Sequence, residues 1–212
     1  MKNILLELKD HRKERIFLEK LEQRYIAEHS KIYEFKQEHK TWWLNDQGTG
    51  RETKFLDLFR LLEQFVGSLN DKYVVDMGCG SGASLVALSA LGAKAVGLEN
   101  DTYGSDLALA KLRCDIYGFN PQIVNADAIH SPLENNLFDL LISTSVVEHI
   151  KNYEDYLKEL YRILKPGSFA YIYTNNRFWP YDSHSGLYFF NWLPHRIFEL
   201  ARKYQVQISP WR

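Results

Sequence analysis

The stretch Val74-Val75-Asp76-Met77-Gly78-Cys79-Gly80-Ser81-Gly82 decides the fold of this 212-residue chain. Its aliphatic start predicts a strand, and residues 83–91 after it read as a helix. Gly78 and Gly80 let the backbone turn sharply and approach a ligand, because no Cβ stands in the way. A plain strand-to-helix turn does not need three alternating glycines behind an acid. The stretch therefore predicts a ligand-binding turn in an α/β protein.

On both sides of this stretch, short aliphatic runs alternate with helical patterns. Strands are predicted at residues 73–75, 94–98, 122–124, 138–143 and 169–174. Helices are predicted at residues 83–91 and 103–117, and after a capping residue, Asn152. This alternation implies parallel strands joined by right-handed crossovers. The turn Lys165-Pro166-Gly167 is expected to stop the last of these helices, and residues 194–204 and 205–208 predict one more helix and a sixth strand.

The beginning of the chain has a different composition. The first 60 residues hold 13 Lys or Arg and 11 Asp or Glu among apolar residues at helical spacing. Residues 71–150 hold only four basic residues against ten acidic ones. We therefore interpret residues 1–68 as a helical extension and residues 69–212 as the α/β domain. Within the extension we expect a loop over Trp42, Trp43 and residues 47–50, followed by a helix over 52–67.

Charge and composition narrow the class of protein. The chain has 26 basic and 27 acidic residues and a sequence pI near 6.7, whereas a general polyanion binder is normally much more basic. Two cysteines, Cys79 and Cys114, do not form a disulfide framework. No apolar run approaches the ~18 residues of a membrane span. We expect a soluble cytoplasmic protein for which nucleic acid is not a favoured partner; a homo-oligomer stays open.

Two kinds of ligand compete for the glycine turn. The pattern Gly78-x-Gly80-x-x-Ala83 satisfies the dinucleotide fingerprint. A dinucleotide places its pyrophosphate at the helix N-terminus, and the negative charge of Asp76 would oppose a phosphate there. The same charge suits a cationic ligand, such as an ammonium or sulfonium group. The acid therefore favours the second kind of ligand.

The pattern Asp76-x-Gly78-x-Gly80-x-Gly82 resembles the first motif of the class I S-adenosylmethionine-dependent methyltransferases. Four later elements resemble that family in the same order: Glu99 at the end of the second strand, Asp127 after the third, the fourth strand up to Thr144, and the turn at residues 165–167. The resemblance covers about residues 71–175. It implies a Rossmann-like, doubly wound, mostly parallel sheet of order 3-2-1-4-5-7-6. The seventh strand has no counterpart before residue 212.

The resemblance also implies roles for individual residues. Glu99 corresponds to an acid that accepts both ribose hydroxyls, and Asp127 to a residue that accepts from the adenine amino group. Ser143 and Thr144 correspond to positions beside the bound cofactor. The implied contacts with S-adenosylmethionine, and with its product S-adenosylhomocysteine, are at Asp76, Gly78, Cys79, Gly80, Glu99, Asn100, Asp127, Ala128, Ser143 and Thr144.

Two histidines are candidates for the base that a hydroxyl acceptor would need. His149 follows the fourth strand in a segment resembling the Glu-x-x-Glu-His sites that hold a divalent metal in some family members. Ser145 replaces the first glutamate, so we expect no metal here. His184 lies in residues 178–192, where seven of fifteen positions are aromatic. We expect that segment to cover an acceptor site.

Together these features predict methyl transfer to a small-molecule acceptor. Oxygen is the favoured acceptor atom, and a sugar or glycan precursor or another hydroxyl compound is the favoured class. Two alternatives stay open: an oxidoreductase using an NAD-type cofactor, and a module that binds S-adenosylmethionine or its product without turnover.

Overall fold

The structure of the chain is a computed structural model that describes residues 2–29, 37–101, 106–174, 176, 178–182 and 187–188. Four helices come first: α1 (Lys2–Leu8), α2 (His11–His29), α3 (Gln37–Gln47) and α4 (Arg51–Val66). Strands and helices then alternate as β1 (Tyr73–Met77), α5 (Ala83–Ala90), β2 (Lys94–Glu99), α6 (Asp106–Ile116), β3 (Gln122–Asn125), β4 (Phe138–Thr144), α7 (Tyr153–Ile163) and β5 (Leu164–Tyr173). A 3-10 turn, Val147–His149, follows β4, and a short antiparallel hairpin pairs β6 (Tyr181–Asp182) with β7 (Leu187–Tyr188).

Strands β1 to β5 form one parallel sheet in the order β3-β2-β1-β4-β5. Asp76 lies in the central strand, where it is paired with Gly97 of β2 and Ile142 of β4. The order reverses direction at β1, and open α/β sheets bind ligands at the carboxyl ends of the strands beside such a switch point. The predicted order of the first five strands is confirmed. The predicted helix and sixth strand at residues 194–208 lie outside the described residues.

Both faces of the sheet are covered by helices. On one face, Val74, Leu140 and Ile142 pack with side chains of α2, α4, α5 and α6. On the other face, Val75, Met77 and Leu141 pack against α7. Successive strand side chains point to opposite faces, so a strand covered on both sides is apolar at nearly every position. The extension therefore shares a hydrophobic core with the sheet.

The predicted loop at Trp42 and Trp43 is wrong. Helix α3 continues through both residues to Gln47, and only residues 48–50 separate it from α4. Aromatic residues cost little in a helix, whereas glycine costs about 1 kcal/mol relative to alanine, so the break falls at the glycines. Gly50 has a φ of 116°, which favours glycine.

The predicted turn at residues 165–167 is a bulge inside a strand. Helix α7 passes directly into β5, where Leu164 is paired with Phe138 and Phe169 with Leu140. The four residues between them are accommodated opposite a single residue of β4. The hydroxyl of Ser168 closes the bulge by donating to the Lys165 carbonyl at 2.6 Å.

Two further expectations have definite outcomes. The N-cap is confirmed, since the Asn152 side chain accepts from the backbone N–H of Asp155 at 3.3 Å. In the described parts of the chain, no helix is both long enough and apolar enough to cross a membrane.

Candidate functional site

The glycine turn is tied to the end of β2 by backbone hydrogen bonds. The N–H groups of Gly78 and Cys79 both donate to the Leu98 carbonyl, at 2.7 and 3.1 Å. A Cβ on Gly78 would lie 2.4 Å from Val146 Cγ2, and one on Gly82 would lie 2.9 Å from a backbone atom of α6. These two glycines are therefore required by packing as well as by their positive φ angles.

Gly80 differs from its two neighbouring glycines. Its φ is 50°, and a Cβ built on it would have no atom within 4 Å. The described protein atoms therefore do not account for glycine at this position through packing. An open space beside a glycine backbone is what a closely approaching ligand requires.

Asp76 presents a buried carboxylate at the end of β1. It is 2% exposed, and its Oδ2 accepts a hydrogen bond from the Ser84 hydroxyl of α5. Its Oδ1 is buried and has no hydrogen-bond partner among the described residues. Burial raises the pKa of Asp76 to about 6, although Ser84 and the charge of Arg51 oppose the rise. A buried acceptor without a donor is costly, so a ligand with a positively charged donor fits this oxygen.

Glu99 closes the turn from the end of β2. Its Oε2 accepts from the backbone N–H of Gly80 at 2.7 Å. Burial raises its pKa to about 7; the Gly80 bond opposes the rise, and the charges of Asp106 and Asp76 add to it. A carboxylate has several acceptor positions, so Glu99 can also accept from the hydroxyl groups of a ligand.

The residues after β2 and β3 form the next part of this edge. The backbone N–H of Ala126 donates to the Glu99 carbonyl at 3.1 Å, which holds the two strand ends together. Asp127 is exposed, and its Oδ1 accepts from the N–H of Ile129 at 2.8 Å. Ala128 is buried in the core, and Asn100 is exposed.

The two candidate residues at the end of β4 are placed differently from each other. Ser143 is fully buried, and its hydroxyl lies 2.8 Å from the hydroxyl of Tyr156 on α7. Its side chain is therefore bonded to the helix behind the sheet. Thr144 is half-buried at the carboxyl end of the strand.

The loop after β4 lies directly against the glycine turn, since Val146 occupies the space beside Gly78. In this loop, Glu148 Oε2 accepts from the Thr174 hydroxyl at 2.9 Å, which links the ends of β4 and β5. Glu148 Oε1 is buried and has no hydrogen-bond partner among the described residues. His149, beside it, is exposed. Glu148 was not among the sequence candidates, although its place next to His149 could have identified it.

Of the remaining candidates, Cys79 does not add a reactive group to this edge. Cys79 is a buried free thiol, and burial raises its pKa, so the thiol form is favoured. Thiolate is the nucleophilic form of cysteine, so Cys79 has the character of a packing residue. His184 lies outside the described residues. Of the aromatic segment that contains it, Phe178 and Trp179 are exposed.

Gly78, Cys79 and Gly80 are thus brought to the end of β2 by hydrogen bonds to Leu98 and Glu99, and Asp76 lies two residues before Gly78 near the end of β1. Asp127, just after β3, and Thr144, at the end of β4, lie at the same carboxyl edge of the sheet, on either side of β1 and β2. The arrangement offers two carboxylates, the open space beside Gly80 and a sharply turned backbone. It can hold a ligand that carries both a positively charged group and neighbouring hydroxyl groups.

Comparison with known proteins gives matches over this part of the chain. Residues 75–172 match the model of a methyltransferase domain family. The ubiquinone biosynthesis O-methyltransferase of Shewanella halifaxensis is 28% identical over 149 residues, which cover 69% of this chain and 62% of that protein. Its counterpart from Bradyrhizobium diazoefficiens is 34% identical over 125 residues, covering 57% of this chain and 47% of that protein. The chain thus spans less than two thirds of the length of these relatives.

The fold is also found in solved structures. A protein from Pyrococcus horikoshii superposes with a TM-score of 0.51 and 22% sequence identity, over 58% of this chain and 57% of that chain. At this level of identity the likeness concerns the fold alone.

Proposed function

We propose that this chain, whose residues 75–172 match a methyltransferase domain family, is a class I S-adenosylmethionine-dependent methyltransferase that methylates a hydroxyl oxygen of a small molecule. The observation that carries the proposal is the pair of carboxylates on one glycine turn. Asp76 has a buried oxygen that accepts no hydrogen bond from the described residues, and Glu99 is held by the N–H of Gly80. S-adenosylmethionine has an ammonium group that can bind Asp76 and ribose hydroxyls that can bind Glu99.

The residues around the turn extend this assignment. We assign the adenine side of the cofactor to Asp127 and Ala128, beside the ends of β2 and β3. Asn100 and Thr144 lie along the same edge, and we assign them to the cofactor site as well. Ser143 contributes through its position in β4, since its hydroxyl is bonded to Tyr156. Residues 1–68 are proposed to be a helical extension of a domain formed by residues 69–212.

The bound cofactor supplies a methyl group that is already activated by its sulfonium. The protein therefore has to hold the donor, align the acceptor and receive the hydroxyl proton. Asp76 and Glu99 hold the donor. His149, exposed beside the end of β4, is one candidate base, and His184 is the other. Glu148 positions the acceptor side by joining the ends of β4 and β5 through Thr174.

Oxygen is favoured because the two similar proteins described above are O-methyltransferases. The candidate classes of acceptor are phenols and the hydroxyl groups of sugars or glycan precursors. The near-neutral charge of the chain fits a small molecule better than a nucleic acid.

The first experiment measures binding and transfer with the same protein. Thermal unfolding is followed with S-adenosylmethionine, S-adenosylhomocysteine and NAD, and methyl transfer from a labelled donor is then screened on phenols and sugars. We expect shifts with the two S-adenosyl compounds only, since a ligand at ~100 times its dissociation constant stabilises the folded state by about 2.7 kcal/mol. A shift with NAD alone would contradict the proposal, and binding without transfer would favour a non-catalytic module.

A matched pair of variants locates the binding. Asp76→Asn removes the charge at the glycine turn and should weaken S-adenosylhomocysteine binding by roughly 10- to 100-fold, because hydrogen bonds to charged groups contribute about 1.5–3 kcal/mol. Asp139→Asn makes the same change near the opposite end of the sheet, where Asp139 pairs with Lys165 at 2.7 Å. Its binding should equal that of the unaltered protein. Equal affinities for both variants would remove Asp76 from the site.

A further inference from the structure

Helix α2 of the extension lies antiparallel along α6, the helix that follows β2. Contacts made by residues later in α2 are with residues earlier in α6. They are the Asp10 N–H to the Ile116 carbonyl at 2.8 Å, Lys13 Nζ to the Asp115 carbonyl at 3.1 Å, the Arg113 guanidinium over the Phe17 ring at 4.6 Å, and the ion pair of Arg24 with Asp106. The antiparallel packing of α2 along α6 therefore places Arg24 beside Asp106, the first residue of α6.

That end of α6 is the end nearest the proposed cofactor site. Asp106 is buried, and its backbone N–H donates to Asp101 Oδ1 at 2.9 Å. The Asp101 N–H in turn donates to the Asn125 side chain at 3.3 Å, at the end of β3. Asp101 lies two residues after Glu99. A continuous set of contacts therefore joins Arg24 to the backbone that leaves β2.

The charges at this edge are mostly negative. Asp76, Glu99, Asp101 and Asp106 all lie at or just beyond the ends of β1 and β2. Arg24 and Asp106 are both largely buried, with side chains 15% and 8% exposed, so their attraction is only partly screened by water. The charge of Arg24 favours the ionised form of Glu99, and that of Arg51 favours the ionised form of Asp76. Both arginines belong to residues 1–68.

We propose that Arg24 is a positioning residue of the cofactor site: paired with Asp106 at the start of α6, it holds Glu99 where its carboxylate accepts the ribose hydroxyls of the donor. The proposal rests on the proposed function, because it assigns a residue of the extension to the same site. The extension is then part of the cofactor site, in addition to its share in the core. Arg24 acts through its ion pair with Asp106 and needs no contact with the cofactor.

The test measures S-adenosylhomocysteine binding by calorimetry for the full chain and its variants. Arg24→Gln should weaken binding about tenfold, and Arg24→Lys, which retains the charge, should restore most of the loss. Lys13→Gln is the matched control, since it removes a contact between α2 and α6 at the far end of the pair. Its affinity should be unchanged. Thermal unfolding of each variant shows whether the fold is retained.

A double-mutant cycle separates positioning from general stabilisation. In a Glu99→Gln background, adding Arg24→Gln should change the affinity less than twofold, because the group that Arg24 positions has already been altered. Additive losses, or equal affinities of Arg24→Gln and the unaltered protein, would overturn the inference. An unaltered protein that binds no S-adenosylhomocysteine would instead overturn the proposed function.

Discussion

The carboxyl ends of β1 and β2 differ sharply from those of β4 and β5. At the first pair, Asp76 is 2% exposed, and the glycine turn is bonded to the Leu98 carbonyl and to Glu99. At the second pair, the end of β5 is exposed: Ile172 is 40% exposed and Tyr173 is 53% exposed. The ends of β1 and β2 are held together by hydrogen bonds to backbone groups, whereas the end of β5 carries exposed side chains.

The difference shows how the proposed activity is divided over the sheet. The proposal assigns a cofactor of fixed chemistry to backbone conformation, the buried Asp76 and the partly buried Glu99, so its site would carry a recognisable pattern. An acceptor is contacted by loops, whose sequences vary more between proteins and share no common motif. The rigid edge therefore carries the recognisable pattern, and the open edge is where the proposal places the acceptor.

The largest expected effect tests whether the glycine turn is built for a ligand. Gly80→Ala places a Cβ in open space beside the turn, and it should weaken S-adenosylhomocysteine binding at least 100-fold. Gly118→Ala is the matched control, since Gly118 also has a positive φ, 74°, and no atom within 4 Å of a built Cβ. Both changes should cost roughly 1–2 kcal/mol of unfolding free energy from backbone strain. Equal binding by the two variants would mean that no ligand approaches Gly80.

A second prediction uses the ionisation of the rigid edge. The pKa values of Asp76 and Glu99 are raised to about 6 and about 7, mainly by burial. Because the folded state binds these protons more tightly than the unfolded state, the stability contribution is fully present only below about pH 4 and is lost as pH rises through 6 and 7. Ligand binding needs the ionised forms, so affinity should change in the opposite direction.

Binding titrations from pH 5.5 to 7.5 should therefore show S-adenosylhomocysteine affinity rising about tenfold or more, since one pKa unit corresponds to about 1.4 kcal/mol. The unliganded protein should become less stable over the same range. Glu99→Gln should remove the part of the affinity change near pH 7. A flat affinity profile would show that neither carboxyl changes ionisation on binding, and the contrast between the edges would lose its electrostatic basis.

The smallest expected effect is at Ser143 of β4, the strand that lies beside β1 and so joins the two edges. Ser143→Ala removes the hydroxyl that lies 2.8 Å from that of Tyr156. It should lower the unfolding free energy by about 1 kcal/mol, because a buried partner loses its hydrogen bond. Cofactor affinity should change less than twofold, as Tyr156→Phe should also show. A large loss of affinity with Ser143→Ala alone would assign its hydroxyl to the cofactor.

Much of the fold was predictable because its signals are local. The five strands and the Asn152 cap follow from residues close together in the chain, whereas the strand order was implied by the resemblance to the methyltransferase family. The loop predicted at Trp42 and Trp43 failed because aromatic residues do not end a helix unless tertiary contacts require it. The bulge before Phe169 could not be predicted, because it depends on register with β4.

The sequence by itself determined the glycine turn and the acid before it, since φ preference and strand periodicity are properties of neighbouring residues. Only the tertiary structure decided which side chains meet at the proposed site. It joined Glu99 to Gly80, turned the Ser143 hydroxyl toward α7, and brought Arg24 of the extension to Asp106. Such contacts depend on how helices pack across the sheet, and no local pattern specifies that packing.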